Sequence, residues 1–493
     1  MPFSALWELT VFRLAKRLKA VIFDQLLFDT IMMKKTLLLG LLSCAFVFFA
    51  QAQADQDAFY IRKIYDNTLT NGQCHNWLQY LTREIGGRLA GSPQAAAAVE
   101  YTRQVMEEMN LDTVWLQPVM VPHWERGEPE QVRIVNSLKV GTVELNALAL
   151  GNSVGTGPMG RTAEVVEVKT LEAVDSLGEQ LRGKIVFFND PMDPTELNTF
   201  AAYGKAAGQR VYGASRASQY GAVGALVRSL TTRIDDIPHT GVTVYQDGAT
   251  PIPAIAISTK AAELLSRLLQ EEPVQVFIRN TSRMLPDKLS YNVIGEIRGS
   301  EKPEDLILVG GHLDSWDVGT GAHDDGSGCV HALEVMHQIK QLGYEPKRTI
   351  RCVMFMNEEN GLRGGRAYWE WSNEESEYHL AAIESDRGGF SPRGFTADGH
   401  EDIFNKKFKR VLDWLPLLEP YDLSFEKGGS GADISGLRSQ KGLLFGLKPD
   451  SQRYFDYHHT PIDAPDVVNK RELELGAAAM TSLVYLLDKY GTE

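Results

Sequence analysis

The chain has 493 residues, 43% of them hydrophobic and 23% charged, the proportions of a globular protein too long for one ordinary core. Its formal net charge of −14 excludes the basic surface that a nucleic-acid partner calls for. The cysteines, four in all, are too sparse for a disulfide framework, and Cys352 in the apolar run IRCVMF reads as a buried thiol.

Residues 1–54 read as a leader. MKKTLLLGLLSCAFVFFAQAQA, from Met33, has the lysines, apolar run and small-residue end of a secretory signal peptide, with A-x-A sites ending at Ala52 or Ala54. Residues 1–31 then read as an over-extended start, and the protein as secreted or periplasmic with no membrane span. LLSC offers the alternative of a lipoprotein anchored through Cys44, against which the apolar run continues beyond that cysteine. Residues 55–140 read as the first part of the main domain. Ser92 and Pro93 open a helix as N-cap and first helical residue, and TVWLQPVMV follows as a strand. Residues 141–285 change texture. Short strands (AEVVEV, KIVFFN, GALVRS, PAIAIS, VQVFI) alternate with helices such as TKAAELLSRLLQ, and no histidine–carboxylate cluster occurs. They read as a smaller, non-catalytic α/β domain inserted into the first, whose removal should leave the site's residues in place. Residues 286–493 return to the main domain with longer alternation: DLILVGG, the helix GSGCVHALEVMHQIKQLG, TIRCVMFM, the helix AYWEWSNEE, LAAIES, GLLFGL and a closing amphipathic helix. Near-continuous apolar strands separated by helices predict an α/β fold with a mainly parallel mixed sheet flanked by helices.

In such sheets ligands bind beyond the carboxyl ends of the strands. After LILV come His312, Asp314, Asp324 and Asp325; after TIRCVMFM, Glu358 and Glu359; after LAAIE, Asp386; and beyond GLLFGL, His458 and His459. Any one of these alone is ordinary, since acidic, glycine-rich segments after strands are usually solvated loops. Metal-compatible residues at four successive strand ends point instead to a metal centre. Imidazoles and carboxylates without thiolate suit catalytic zinc. The set exceeds what one zinc needs and matches two sharing a bridging carboxylate, which activate a water while a further carboxylate moves its proton to the leaving amine.

HLDSWDVGTGAHDDGSG, MNEENGLRGG, IESDRGG and HHTPID together resemble the co-catalytic zinc exopeptidases of the M28 family, over nearly the whole mature chain. The resemblance implies the zinc exopeptidase, or phosphorylase/hydrolase-like, fold and two zinc ions. His312, Asp324 (bridging), Glu359, Asp386 and His459 would be the metal ligands. Glu358 would be the general base, and Asp314 would orient His312. It also implies a cis peptide bond between Asp324 and Asp325. The choice of His459 over its neighbour His458 is left open. GKIVFFND, ASQYGAVGALVRS and TPIPAIAIS resemble the protease-associated (PA) domain of one branch of the family. The substrate class implied is a short peptide or dipeptide; the end recognised, and whether the chain acts alone or as a homodimer, stay open.

Three rival readings fit less well. GNSVG (residues 151–155) matches G-x-S-x-G, but TGPMG after it cannot open the helix that a nucleophile elbow requires. A metal-free, receptor-like relative would have lost ligands, and none is missing. A one-zinc glutaminyl cyclase on the same fold fits the inserted segment poorly.

Overall fold

The computed structural model describes residues 3–493, apart from the side chains of residues 3–6, 8–9, 30–31, 36–52 and 54. Most of the expected leader, Cys44 included, therefore lies outside the described side chains. Among the described residues no helix is long and apolar enough to cross a membrane. The chain divides into two compact units, Met1–Lys63 and Ile64–Glu493. The first is described as part of the helix Phe3–Asn71. The second contains two eight-stranded sheets.

The first sheet runs Thr113–Glu125, Arg283–Ile297, Arg348–Phe355, Lys302–His312, Tyr378–Glu384, Leu443–Pro449, Pro392–Gly399 and Ser424–Lys427. Its four middle strands, from Arg348–Phe355 to Leu443–Pro449, are mutually parallel, and antiparallel pairs flank them. The mainly parallel mixed α/β sheet expected from the sequence is the one observed. The reason lies in the burial pattern. Lys302–His312 is buried from Leu306 to its end and Arg348–Phe355 throughout, as strands covered on both faces must be. Leu308, Val353 and Phe355 meet Tyr368 of the helix Arg363–Glu374; each such fully buried side chain contributes about 1.5–3 kcal/mol. Helices Ser327–Gln341 and Lys470–Tyr490 pack on one another and on Lys302–His312. Ser92 caps the helix Pro93–Glu108 by accepting from Ala95 N–H at 3.0 Å.

The second sheet runs Gly141–Glu144, Gln131–Ser137, Gln275–Arg279, Arg161–Val168, Ile185–Phe188, Gly224–Arg228, Ala254–Ile257 and Ala147–Ala149. It has two apolar clusters, one around Val276 and Leu265, the other around Phe188 and Val227. Its strands do not coincide with residues 141–285. Gln131–Ser137 pairs with Gln275–Arg279, so this sheet begins before residue 141. Arg283–Ile297 pairs along Thr113–Glu125 in the first sheet, so the return to that sheet comes before residue 286. The helix Thr199–Ser218 was not foreseen, because its glycines interrupt the apolar period. One of them is a packing device: a Cβ at Gly213 would stand 2.9 Å from the ring of Phe188, so glycine lets the helix lie close on the strand.

Candidate active site

The carboxyl ends of the parallel strands converge. His312 closes one strand, Glu358 and Glu359 follow the next, Asp386 lies two residues beyond Glu384, and His459 sits in the loop after Pro449. His312 Nε2 is 3.3 Å from Asp324 Oδ1 and 3.4 Å from Asp386 Oδ1. His459 Nε2 is 3.2 Å from both Asp324 Oδ2 and Glu359 Oε2. Asp324 thus stands between two groups, one with His312 and Asp386, the other with Glu359 and His459. The peptide bond between Asp324 and Asp325 is cis.

The local architecture fixes which atoms face inward. His312 Nδ1 donates to the main-chain carbonyl of Asp314 at 2.9 Å, leaving Nε2 for the cluster. The Asp314 carboxylate is itself 3.9 Å from Nδ1. Its Oδ1 instead accepts two successive N–H groups, Asn357 at 2.6 Å and Glu358 at 3.0 Å. Asn357 has φ +75°, and that turn points both donors at one oxygen. Asp314 therefore holds the segment that carries Glu358. Asp325 spends its oxygens on the N–H groups of His312 and Gly328, at 3.1 and 2.9 Å. Gly328 has no room for a Cβ, which would collide with the Ser385 carbonyl oxygen.

His458 is the weaker of the doublet. Its Nε2 is 3.6 Å from Asp324 Oδ2, and its ring stacks on His459 at 3.5 Å between centroids. Burial and the neighbouring His459 hold it neutral, well below the usual histidine range. His459 behaves oppositely: burial opposes its charge, but Glu359 and Asp324 outweigh that and push it up to about 10. In the same way Asp386 and Asp324 hold His312 well above its usual value despite burial. Burial pushes the Glu358 carboxyl well up, with Asp386 and Glu359 adding to it against His312. Glu358 lies in the field of His312, Asp386, Glu359 and Asp324 yet belongs to none of the groups with metal-ligand spacing.

Those groups are His312 with Asp324 and Glu359; Asp324 with His458 and His459; and His312 with Asp325 and Asp386, the ligand atoms of each lying within 4.8 Å of one another. Asp324 Oδ2 and Glu359 Oε1 are buried without a hydrogen-bond partner of good geometry. Among the described residues, the ion pairs of Asp324, Glu359 and Asp386 are all with histidine. Buried carboxylates with orphaned oxygens and no lysine or arginine call for cations, and the donor set fits two divalent ions sharing Asp324.

Several supporting residues were not read from the sequence. Asp463 accepts the N–H groups of His323 and Asp324, at 2.8 and 3.1 Å, one on each oxygen. Thr240 donates its N–H to the His459 carbonyl at 3.0 Å, and the Thr240 carbonyl lies 3.3 Å from His459 Nδ1. His239 Nδ1 reaches the His458 carbonyl at 2.9 Å. The GNSVG stretch is a loop, as expected, and Ser153 Oγ is engaged with main-chain groups of Val154 and Ala254. Its neighbour Asn152 exchanges hydrogen bonds with Asn360, 3.1 and 3.3 Å, beside the two glutamates. Only the short distance from His459 to Asp463 within HHTPID carried any signal of these partners.

Residues 292–484 match the family model of Peptidase family M28. Carboxypeptidase Q of Bos taurus is 34% identical over 414 residues, 83% of this chain and 84% of that protein, and that of Homo sapiens likewise 34% over 414 residues. The structure of a Peptidase M28 precursor from Shewanella amazonensis SB2B matches with a TM-score of 0.82 and 32% identity, covering 88% of this chain and 97% of that one. A zinc aminopeptidase from Bacillus subtilis shares the fold at a TM-score of 0.61 and 19% identity, covering 84% of this chain and 94% of that one.

Proposed function

Because the chain belongs to peptidase family M28, we propose that it is an exported two-zinc exopeptidase that hydrolyses terminal peptide bonds of short peptides or dipeptides. One observation carries the reading: Asp324 is shared between a His312–Asp386 group and a Glu359–His459 group, with orphaned carboxylate oxygens at its centre. In this reading His312, Asp324 and Asp386 hold one zinc, and Asp324, Glu359 and His459 the other. Bound there, the pair supplies Lewis acidity, lowering the pKa of water and polarising the scissile carbonyl. Glu358 is the general base. It takes the proton of the attacking water and returns it to the leaving amine, and Asp314 steadies it through the two N–H bonds at its backbone. Two groups sharing one carboxylate weigh against a one-zinc cyclase, and a full donor set against a metal-free receptor.

The second sheet and its loops form, in this reading, a PA-like segment that bounds the cleft. Export rests on the leader beginning at Met33. The test is elemental analysis of protein purified without chelator, with hydrolysis of a dipeptide panel alongside N- and C-blocked analogues. Two zinc ions per chain and cleavage next to a free terminus are expected. One ion or none with zinc supplied, or cleavage of doubly blocked peptides, sinks the reading.

A further inference from the structure

Immediately after Asp386 comes an arginine, Arg387. Arg387 lines a cavity of about 730 Å³ formed where the first turn of the helix Thr199–Ser218 faces the strands Pro392–Gly399 and Leu443–Pro449. The charged lining is cationic: Arg387, Arg393, Lys427 and Lys448 against Glu426 and Asp450. This reverses the sign of the carboxylate cluster beside it. Three of the cations have side-chain oxygen partners. Arg393 is 2.8 Å from Asp422 and 3.6 Å from Asp450, Lys448 pairs with Glu426, and Lys427 donates to Asn405 at 2.8 Å. Arg387 makes no ion pair among the described residues. Its one hydrogen bond there is from Nη2 to the Gly429 carbonyl, 2.6 Å.

The group is nevertheless held in place. Its guanidinium lies over the ring of Phe200, 5.4 Å from the centroid. That ring in turn packs on Tyr454 and Phe455, at 5.2 and 4.9 Å between centroids. The contact with the ring restrains the guanidinium, and a restrained fork with no ion-pair partner suits bidentate recognition of a carboxylate. Arg387 is also the direct sequence neighbour of Asp386, expected at the metals, and lies within the field of its charge.

We propose that Arg387 is the receptor for a substrate carboxylate located one residue beyond the scissile bond. This rests on the exopeptidase reading and narrows its substrates to peptides with a carboxylate at that place. A free C-terminus and an acidic side chain share this chemistry. The carbonyl and the anion of the substrate would then be met by separate walls, metals at the one and arginine at the other. Phe200, which orients the guanidinium, comes from the region of the second sheet, so that region takes part in choosing the substrate.

The experiment uses the zinc-loaded full chain and three substrates: a neutral dipeptide, its C-terminal amide, and a C-terminal amide whose second residue is glutamate. Arg387→Met should cut the preference in kcat/KM for a carboxylate over a neutral amide by about 10–100-fold, mainly through KM, and Arg387→Lys should restore part of it. If the loss falls on the free dipeptide the source is the C-terminus; if on the glutamyl amide, the side chain. Equal losses on all three substrates, or an unchanged preference, overturn the assignment while the exopeptidase reading stands. If Arg387→Met does not fold, Arg387→Gln takes its place: with a wild-type melting temperature, a lost preference for carboxylate over amide in KM supports the assignment, and a retained preference overturns it. Wild-type enzyme that cleaves no peptide, with two zinc ions bound, removes the parent reading and this one with it.

Discussion

The first sheet offers its ionisable groups at the carboxyl ends of parallel strands; the second sheet, with as many strands, offers none of the expected metal ligands. Yet the loops around the second sheet supply hydrogen bonds to the first sheet's site, through Thr240 and His239 at the histidine doublet and Asn152 at the glutamate loop. The donor atoms and part of their orientation thus come from different regions of the molecule. Removing residues 141–285 would take these partners away from the site. Without Thr240 and His239, the backbone around His459 loses the partners that aim its Nε2 inward.

The contrast can be broken most directly at Asp324. Asp324→Ala should lose both zinc ions and reduce peptide hydrolysis to background, because both groups share that carboxylate; retention of two ions on elemental analysis would show that the sharing is wrong. Glu358→Gln should keep both ions and lose about 10²–10⁴-fold in kcat, since an amide keeps the shape but takes no proton. The second region is tested by His239→Ala. Burial holds this imidazole neutral, pushed down to about 3, and it touches no expected ligand side chain. Loss of its bond to the His458 carbonyl should weaken zinc by about 10–100-fold in competition with a chelator, and an unchanged affinity would return the second sheet to the role of a bystander. The smallest effect concerns acid. His331 and His379, both in the surroundings of the first sheet, are pushed down to about 4, chiefly by burial. The unfolded chain binds protons there at higher pH than the folded one. Each therefore contributes stability that is complete above about pH 6.5 and lost as pH falls toward 4, on the order of 1–3 kcal/mol apiece. Denaturant titrations across that window should show the slope, and His379→Gln should flatten it.

The strand-end residues were legible because a parallel sheet buried on both faces leaves an unbroken apolar run in the sequence, and the next ionisable residue after such a run lies on the binding edge. His312, Asp324, Glu358, Glu359 and Asp386 all followed from that rule and from the family likeness. The choice between His458 and His459 was not legible, since it depends on which ring faces Asp324 and Glu359 together. The hold of Asp314 on the segment before Glu358 was not legible for a related reason: the partners of its carboxylate are backbone N–H groups set by a left-handed turn at Asn357, and backbone groups leave no mark on composition. Contacts such as His239 to His458 join residues 219 positions apart, and no local pattern announces them. The membership of Gln131–Ser137 in the second sheet was hidden in the same way, because pairing, not propensity, decides it.

The bond between Asp463 and the turn at Asp324 has a temporal consequence. Asp463 takes the N–H groups of His323 and Asp324 on its carboxylate, and its carbonyl accepts from the Thr320 N–H and hydroxyl at 2.9 and 3.1 Å. The loop bearing His459 is thereby laced to the loop bearing Asp324 on both flanks. Neither can swing away alone, so any ion seated between them leaves only when the laced segment opens as a unit. Exchange of metal with the medium is then governed by the rate of that local opening, not by the breaking of one coordinate bond after another, and a chelator should strip the site with a rate that stops rising once its concentration outpaces the opening.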